Sequence, residues 1–294
     1  MAGTRSYTRC MPHDATRPQD ATGPGPDDLD LRGGPRRPPR EHTSPGFHEP
    51  RKVESEPDTG RALASERLDY TASTLDDRPG DGQTDDEASP FPLFRRWLDD
   101  AFARRESHGD LPEPSAVVLS TIDVTGPLPR PASRTVLMKD FDERGFVVYT
   151  NKRSAKGRQL AADPWAAMLF PWYPLQRQVR IEGRMVEVDD AEADAYWASR
   201  PRASQIGAWA SEQSQPIDDR DTLDRRVVEA ELRFRPVESI PRPPHWGGYR
   251  LVPERIEFWQ GRSGRVHDRI VHTTVLRGTR AGMAAAWKVE RLQP

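Results

Sequence analysis

The run Ile256–Arg269, IEFWQGRSGRVHDR, concentrates side chains that could do chemistry. Ile256–Gln260 and Arg265–Arg269 read as short strands around a turn at 261–264, where two glycines and a serine suit a tight reversal. Side chains alternate along a strand, so Arg265, His267 and Arg269 are expected on one face, with Val266 and Asp268 on the other. Two guanidiniums and an imidazole on one face repel each other unless an anion or a polar ligand lies among them. Arginine suits phosphate because its planar fork of donors is always charged. The plain alternative is a solvated, charged edge strand.

Other cations sit inside segments that read as structured. Arg134 and Lys139 bracket an apolar run, RTVLMK. Ser154 and Lys156 open a predicted helix, whose N-terminus favours anions. Arg200, Arg202 and Ser204 lie just past a helix end, after Tyr196. Taken singly, each is explained as well by a surface salt bridge. Together with Arg265, His267 and Arg269 they imply more than one anionic group, for example a phosphorylated substrate and a phosphorylated cofactor. No metal site is expected: the histidines are scattered and no HExxH or Cys/His cluster occurs. There is also no GxSxG, GxGxxG or P-loop. Residue types and spacing stop there and name neither ligand.

Composition narrows the class. The chain has 294 residues, 31% charged and 35% hydrophobic, with a formal net charge of -2. That balance gives no reason to expect a nucleic-acid partner. No run of about 18 apolar residues predicts a membrane span, and the first residues lack the apolar stretch of a secretory signal. The single cysteine, Cys10, has no internal partner. A cytoplasmic enzyme or binding protein is the expectation.

The elements that must position these residues follow from pattern. Residues 1–62 read as a disordered tail, with nine prolines in the first 50 residues among Gly, Asp and Arg. All eight tryptophans lie from Trp97 to Trp287, which puts the core within 63–294. Helices are predicted at 62–70, 91–105, 154–162, 190–200 and 218–234. Strands are predicted at 116–123, 134–139, 145–150, 166–172, 178–188, 248–252, 256–260, 265–269 and 287–292. Residues 240–246 read as a proline-rich connector. Many short antiparallel strands with few helices predict a mostly β (α+β) fold, a β-barrel with peripheral helices.

At these residues the chain closely resembles the pyridoxine/pyridoxamine 5′-phosphate oxidase family. The resemblance is carried by RTVLMK (Arg134–Lys139), GFVVYTN (Gly145–Asn151), LFPW (Leu169–Trp172), RQV (Arg177–Val179), SRPRASQIGAWASEQS (Ser199–Ser214), HWGGYR (His245–Arg250), IEFWQG, RVHDR and a terminal AWKVERLQP. It covers 67–294, and SQIGAW with RVHDR in this order is highly specific. The resemblance implies an FMN-binding split β-barrel, a homodimer with FMN at the interface, and no metal.

By position, it implies that Arg134, Thr135, Val136, Leu137, Met138 and Lys139 line FMN. Tyr149, Thr150 and Lys156, with Ala155 beside them, would hold its phosphate and ribityl region. Gln178, Gln213, Ser214, Trp259 and Arg269 would complete the flavin site. Lys139, Tyr196, Arg200 and Ser204 would take the substrate phosphate. Arg265 and His267 would meet the pyridine ring as the catalytic pair, and Arg67 and Tyr70 of RLDY would close over the substrate.

The implied reaction is oxidation of pyridoxamine 5′-phosphate or pyridoxine 5′-phosphate to pyridoxal 5′-phosphate. Dioxygen is the acceptor, hydrogen peroxide is released, and the amine also yields ammonia. The alternatives are a split-barrel flavin or deazaflavin reductase on another substrate, or a non-catalytic protein that holds pyridoxal 5′-phosphate or FMN. The chain departs from the family pattern at Ala155, where relatives carry arginine; Arg153 and Arg158 are the candidates to stand in. It departs again in an acidic stretch between Tyr70 and Phe91, and in the tail.

Overall fold

The computed structural model describes Tyr70 and residues 89–294 without 280–281, and without the side chains of 277–284. Eight strands form one antiparallel sheet: β1 (Ala116–Asp123), β2 (Arg130–Asp142), β3 (Gly145–Asn151), β4 (Trp165–Trp172), β5 (Arg177–Glu187), β6 (Trp246–Gln260), β7 (Asp268–Thr279) and β8 (Gly282–Leu292). Their order is β3-β2-β1-β4-β5-β6-β7-β8, and an extra β3–β6 pairing closes the first six into a barrel. β7 and β8 extend from β6 as an arm. Closure removes sheet edges that would otherwise template aggregation.

Sequence pattern explains which strands lie deepest. In β1 the alternation buries Val117, Leu119 and Thr121 on one face. β3 pairs on both sides and is buried along nearly its whole length. Helix α1 (Phe91–His108) presents Phe94, Trp97, Leu98 and Ala101 at helical spacing to the barrel interior. Phe94 sits 4.9 Å from both Phe141 and Phe146 and 5.2 Å from Phe170, ring centre to ring centre. A fully buried aromatic of this kind contributes roughly 1.5–3 kcal/mol from burial alone. Gly109, at φ 72, ends the helix and donates its N–H to the Arg105 carbonyl.

Four further helices complete the described part: α2 (Ala155–Ala162), α3 (Asp190–Ser199), α4 (Arg202–Ala210) and α5 (Arg220–Phe234). Trp197, Ile206, Ala210, Phe234, Ile240 and Trp246 make a second apolar cluster that ties α3, α4 and α5 to the start of β6. The Trp197 indole N–H donates to the Ile240 carbonyl at 2.7 Å. Arg242 ties the connector to α3 through Asp190 and Asp194.

Three expectations need correction. The predicted strand at 265–269 does not form: 263–265 make a short 3-10 turn and β7 begins only at Asp268. Gly264 and Arg265 both have positive φ, 63° and 64°, so the alternation that would place Arg265, His267 and Arg269 on one face is absent. Segments 248–252 and 256–260 are one strand, with Pro253 at the β5–β6 register shift, where a proline is tolerated. Residues 202–210, read as chain beyond a helix end, form α4, with Pro201 tolerated at its N-cap. The helix predicted at 62–70 lies outside the described residues except Tyr70.

Candidate active site

A cleft of about 500 Å³ opens beside the barrel. Strand β2 contributes Arg134, Thr135, Val136, Leu137 and Lys139, and β3 contributes Tyr149 and Thr150. The first turn of α2 adds Ala155 and Lys156, α3 and its C-cap add Tyr196 and Arg200, and the loop after α4 adds Gln213 and Ser214. Ser204 lines an adjoining hollow together with Tyr149, Thr150, Arg200 and Gln213. Met138 does not line the cleft: its side chain is 5% exposed and belongs to the barrel core. The other five residues of the run line the cleft.

Three half-buried cations face this space, and none is paired with a carboxylate among the described residues. Lys156 Nζ donates to Gln213 Oε1 at 2.9 Å, Thr150 Oγ1 at 3.0 Å and Ser154 Oγ at 3.3 Å. Arg134 donates to Thr121 Oγ1 at 2.6 Å, Gln159 Oε1 at 2.9 Å and the Leu119 carbonyl at 3.2 Å. Arg200 lies over Trp246 at 4.8 Å and donates to the Ser204 carbonyl, and its buried Nε has no hydrogen-bond partner. Every acceptor is neutral. Burial pulls the pKa of all three groups down, and the Arg134 charge lowers Lys156 further. Uncompensated charge in a half-buried cleft is costly, and an anion relieves the cost. The residues therefore fit a phosphorylated ligand, with the start of α2 adding its own positive end.

Aromatic rings wall one side. Tyr149 and Tyr196 stack at 4.0 Å, and Trp246 lies parallel to Tyr149 at 5.4 Å. Burial pushes the Tyr149 phenol up to about 12, so it stays protonated in solution near neutrality. Gly248 makes room for this ring: a Cβ there would lie 2.7 Å from both the Tyr149 ring and Val188 Cγ2.

The remaining predicted residues form a second group at the far end of β6. On that strand Gly248 lies opposite Tyr149, whereas Trp259 lies opposite both Gln178 and Arg269. Eleven residues of strand separate the two positions, on the order of 35 Å of chain path. His267 lies 4.6 Å from Trp259 and 5.5 Å from Tyr70, ring centre to ring centre, and Arg265 covers the Tyr70 ring at 5.7 Å. Arg67 lies outside the described residues. Arg269 donates to Glu257 Oε1 at 2.7 Å. Among the described residues, the non-glycine positions at positive φ, Gln176, Ser214 and Arg265, belong to or adjoin the two groups, and such strain concentrates at functional sites.

The sequence reading missed Glu257. It is 4% exposed and receives Arg269, Arg255 and Arg180. Burial pushes its carboxyl up, but hydrogen bonds from Arg269 and Arg255 outweigh that and hold it below the usual carboxylate range. The signal was a lone carboxylate between the apolar Ile256 and Phe258.

The backbone N–H of Arg262 donates to His267 Nδ1 at 3.1 Å, which leaves Nε2 to carry the proton of the neutral ring. Burial first, and the Arg265 charge second, lower the His267 pKa. An NMR titration of this imidazole is expected to give a midpoint below the ordinary 6.5, moving upward in Arg265→Ala. A midpoint above that value would contradict this electrostatic picture.

A closed six-strand barrel extended by β7 and β8, with a cation-lined cleft beside it, has the architecture of a split barrel. Comparison with known proteins agrees. Residues 105–234 match the family model described as pyridoxamine 5′-phosphate oxidase, and 246–294 match the pyridoxine 5′-phosphate oxidase C-terminal dimerisation region. The pyridoxine/pyridoxamine 5′-phosphate oxidase of Paraburkholderia phytofirmans is 47% identical over 233 residues, 79% of this chain and 99% of the relative. That of Burkholderia vietnamiensis is 49% identical over 232 residues, with the same two coverages.

Among solved structures, PhzG from Burkholderia lata 383, in complex with tetrahydrophenazine-1-carboxylic acid, is 30% identical with a TM-score of 0.63. It covers 77% of this chain and 100% of that one. An FMN-binding protein from Nostoc punctiforme, 20% identical at a TM-score of 0.50 over 68% of this chain and 97% of that one, shares the fold. The chain belongs to the pyridoxamine 5′-phosphate oxidase family, with FMN as its cofactor. Its dimerisation region carries Trp259, Arg265, His267 and Arg269 and supports a homodimer. No helix among the described residues is long and apolar enough to cross a membrane.

Neither expected stand-in for the missing arginine lines the cleft. Arg153 faces a neighbouring hollow with Asn151, Trp209 and His245, which shares Gln213 with the cleft, and Arg158 is exposed. Ala155 does line the cleft. Ala155→Arg is therefore expected to tighten FMN binding by roughly 3- to 10-fold, the range of one ordinary net hydrogen bond. Equilibrium dialysis would show it, and unchanged affinity would mean that the phosphate is already saturated with donors.

Proposed function

We propose that this chain oxidises pyridoxamine 5′-phosphate and pyridoxine 5′-phosphate to pyridoxal 5′-phosphate, with dioxygen as electron acceptor and hydrogen peroxide as co-product. The amine substrate also releases ammonia. The carrying observation is Arg200, half-buried, paired with no carboxylate among the described residues and lining both the cleft and the adjoining hollow beside Tyr196 and Ser204, next to the cations Lys156 and Arg134. A flavin phosphate and a substrate phosphate would occupy the two.

In this reading Arg134, Thr150 and Lys156 hold the flavin phosphate and ribityl end. Thr135, Val136, Leu137, Gln213 and Ser214 line the rest of the cleft. Lys139, Tyr196, Arg200 and Ser204 fix the substrate phosphate. When bound, FMN supplies the two-electron acceptor and hands the electrons on to dioxygen. Arg265 and His267 orient the pyridine and stabilise charge on it; Gln178, Trp259 and Arg269 complete the flavin site. These residues lie at the far end of β6, so a second copy of the chain would bring them to the cleft. Tyr70 closes over the substrate with Arg67. Residues 63–294 form the oxidase domain in this reading, and the relatives' full length maps onto 79% of the chain.

The likeness to PhzG favours a second reading, oxidation of a planar tricyclic carboxylic acid. Peroxide release separates the two. The proposal predicts release with pyridoxamine 5′-phosphate and little with unphosphorylated pyridoxamine. Release with a reduced phenazine carboxylic acid alone would favour the second reading, and none with any substrate would leave a non-catalytic flavin binder or a reductase.

A further inference from the structure

Two arginines assigned to the flavin are backed in opposite ways. Arg269 rests on Glu257, a buried carboxylate that it shares with Arg255 and Arg180. Arg134 rests on the Gln159 amide, the Thr121 hydroxyl and the Leu119 carbonyl, none of them charged. Gln159 is 6% exposed, lies on α2 one turn beyond Lys156, and does not line the cleft. Its Oε1 accepts from Thr121 at 2.7 Å and from Arg134 at 2.9 Å. A guanidinium can only donate, so the carbonyl end of the amide must be the one that faces the arginine. One side chain thus clasps the helix that carries Lys156 to the strand that carries Arg134.

We infer that Gln159 is a positioning residue that tunes the cleft for a dianionic phosphate by holding Arg134 without neutralising it. The inference rests on the reading of this cleft as the flavin-phosphate site. A carboxylate at 159 would hold the guanidinium equally well but cancel its charge toward the ligand. The amide leaves two positive groups, Arg134 and Lys156, facing one phosphate. Burial lowers the Lys156 pKa most and the Arg134 charge adds to it, and an anion between the two groups relieves both costs. At the other end Arg269 donates to a charged acceptor instead, Glu257.

The test compares FMN with riboflavin, which has the same ring and ribityl chain but no phosphate. Binding of each to the full-length chain is measured by equilibrium dialysis. Gln159→Glu should weaken FMN by roughly tenfold or more and leave riboflavin within about twofold. Gln159→Met, neutral but unable to clasp, should weaken FMN by less than Gln159→Glu does. Folding damage would weaken both ligands together and leave their ratio unchanged; that result in Gln159→Glu overturns the inference. So does an equal FMN loss in the Glu and Met variants, since charge would then be irrelevant. Arg134→Ala serves as the reference and should erase most of the FMN preference. If it instead keeps the wild-type ratio, the assignment of the cleft to phosphate fails, independently of Gln159.

Discussion

Arg265→Ala is expected to lower kcat/KM for pyridoxamine 5′-phosphate by roughly 10²–10³-fold while leaving bound FMN per protomer unchanged, the range for loss of one aimed donor at a reacting centre. Arg265 is exposed, and its recorded contact is the Tyr70 ring, a partner in the same group. Removing the guanidinium opens no core cavity and strands no buried partner. Its backbone sits at φ 64°, a conformation that the surrounding turn imposes on a non-glycine residue. Strain of that kind costs on the order of 1–3 kcal/mol and persists where it aims a side chain. Flavin absorbance per protein and steady-state kinetics separate the outcomes. Loss of flavin with normal turnover per remaining flavin would move Arg265 from substrate to cofactor.

Lys156→Ala should act on the opposite ligand. The ammonium is half-buried and all its recorded acceptors are neutral, so its charge is available to an anion. Its removal is expected to weaken FMN by roughly 10- to 100-fold, from one charged hydrogen bond plus its field. Thr150 and Gln213 remain within 3.2 Å of each other and can satisfy one another, so stability should change little. At saturating FMN the turnover should recover to near the native value. Recovery to less than about a tenth, with flavin fully bound, would give Lys156 a part in the chemistry. That test is sharp because Arg265→Ala is expected to do the reverse.

How much of this was legible in the sequence depends on what kind of signal each feature leaves. The barrel strands were, because the apolar, β-rich run of β1 and the paired runs of β2 and β3 around a short polar turn are the residue types that a buried sheet requires. The cleft was legible only through resemblance: thirteen residues from five places in the chain converge there, and no local pattern announces that. The arm was misread for a definite reason. Arg265, Val266 and His267 have the composition of an exposed strand, but Gly264 and Arg265 in left-handed conformation end the pairing, and composition does not report φ. Helix α4 was hidden by Pro201, which reads as a stop but also suits a helix start. Glu257 and Gln159 escaped notice because each acts from behind an arginine. A buried polar residue inside an apolar segment is the trace they leave, and its partner is known only once the fold is.

The central claim is that the two unneutralised anion positions hold a flavin phosphate and a B6-type substrate phosphate together. The most direct measurement is the visible spectrum of the FMN-loaded protein, recorded without oxygen before and after adding pyridoxamine 5′-phosphate. The account predicts that the flavin band bleaches, and that it does so far more slowly with unphosphorylated pyridoxamine. A band that persists with the phosphorylated amine, yet bleaches with a reduced phenazine carboxylic acid, would contradict it.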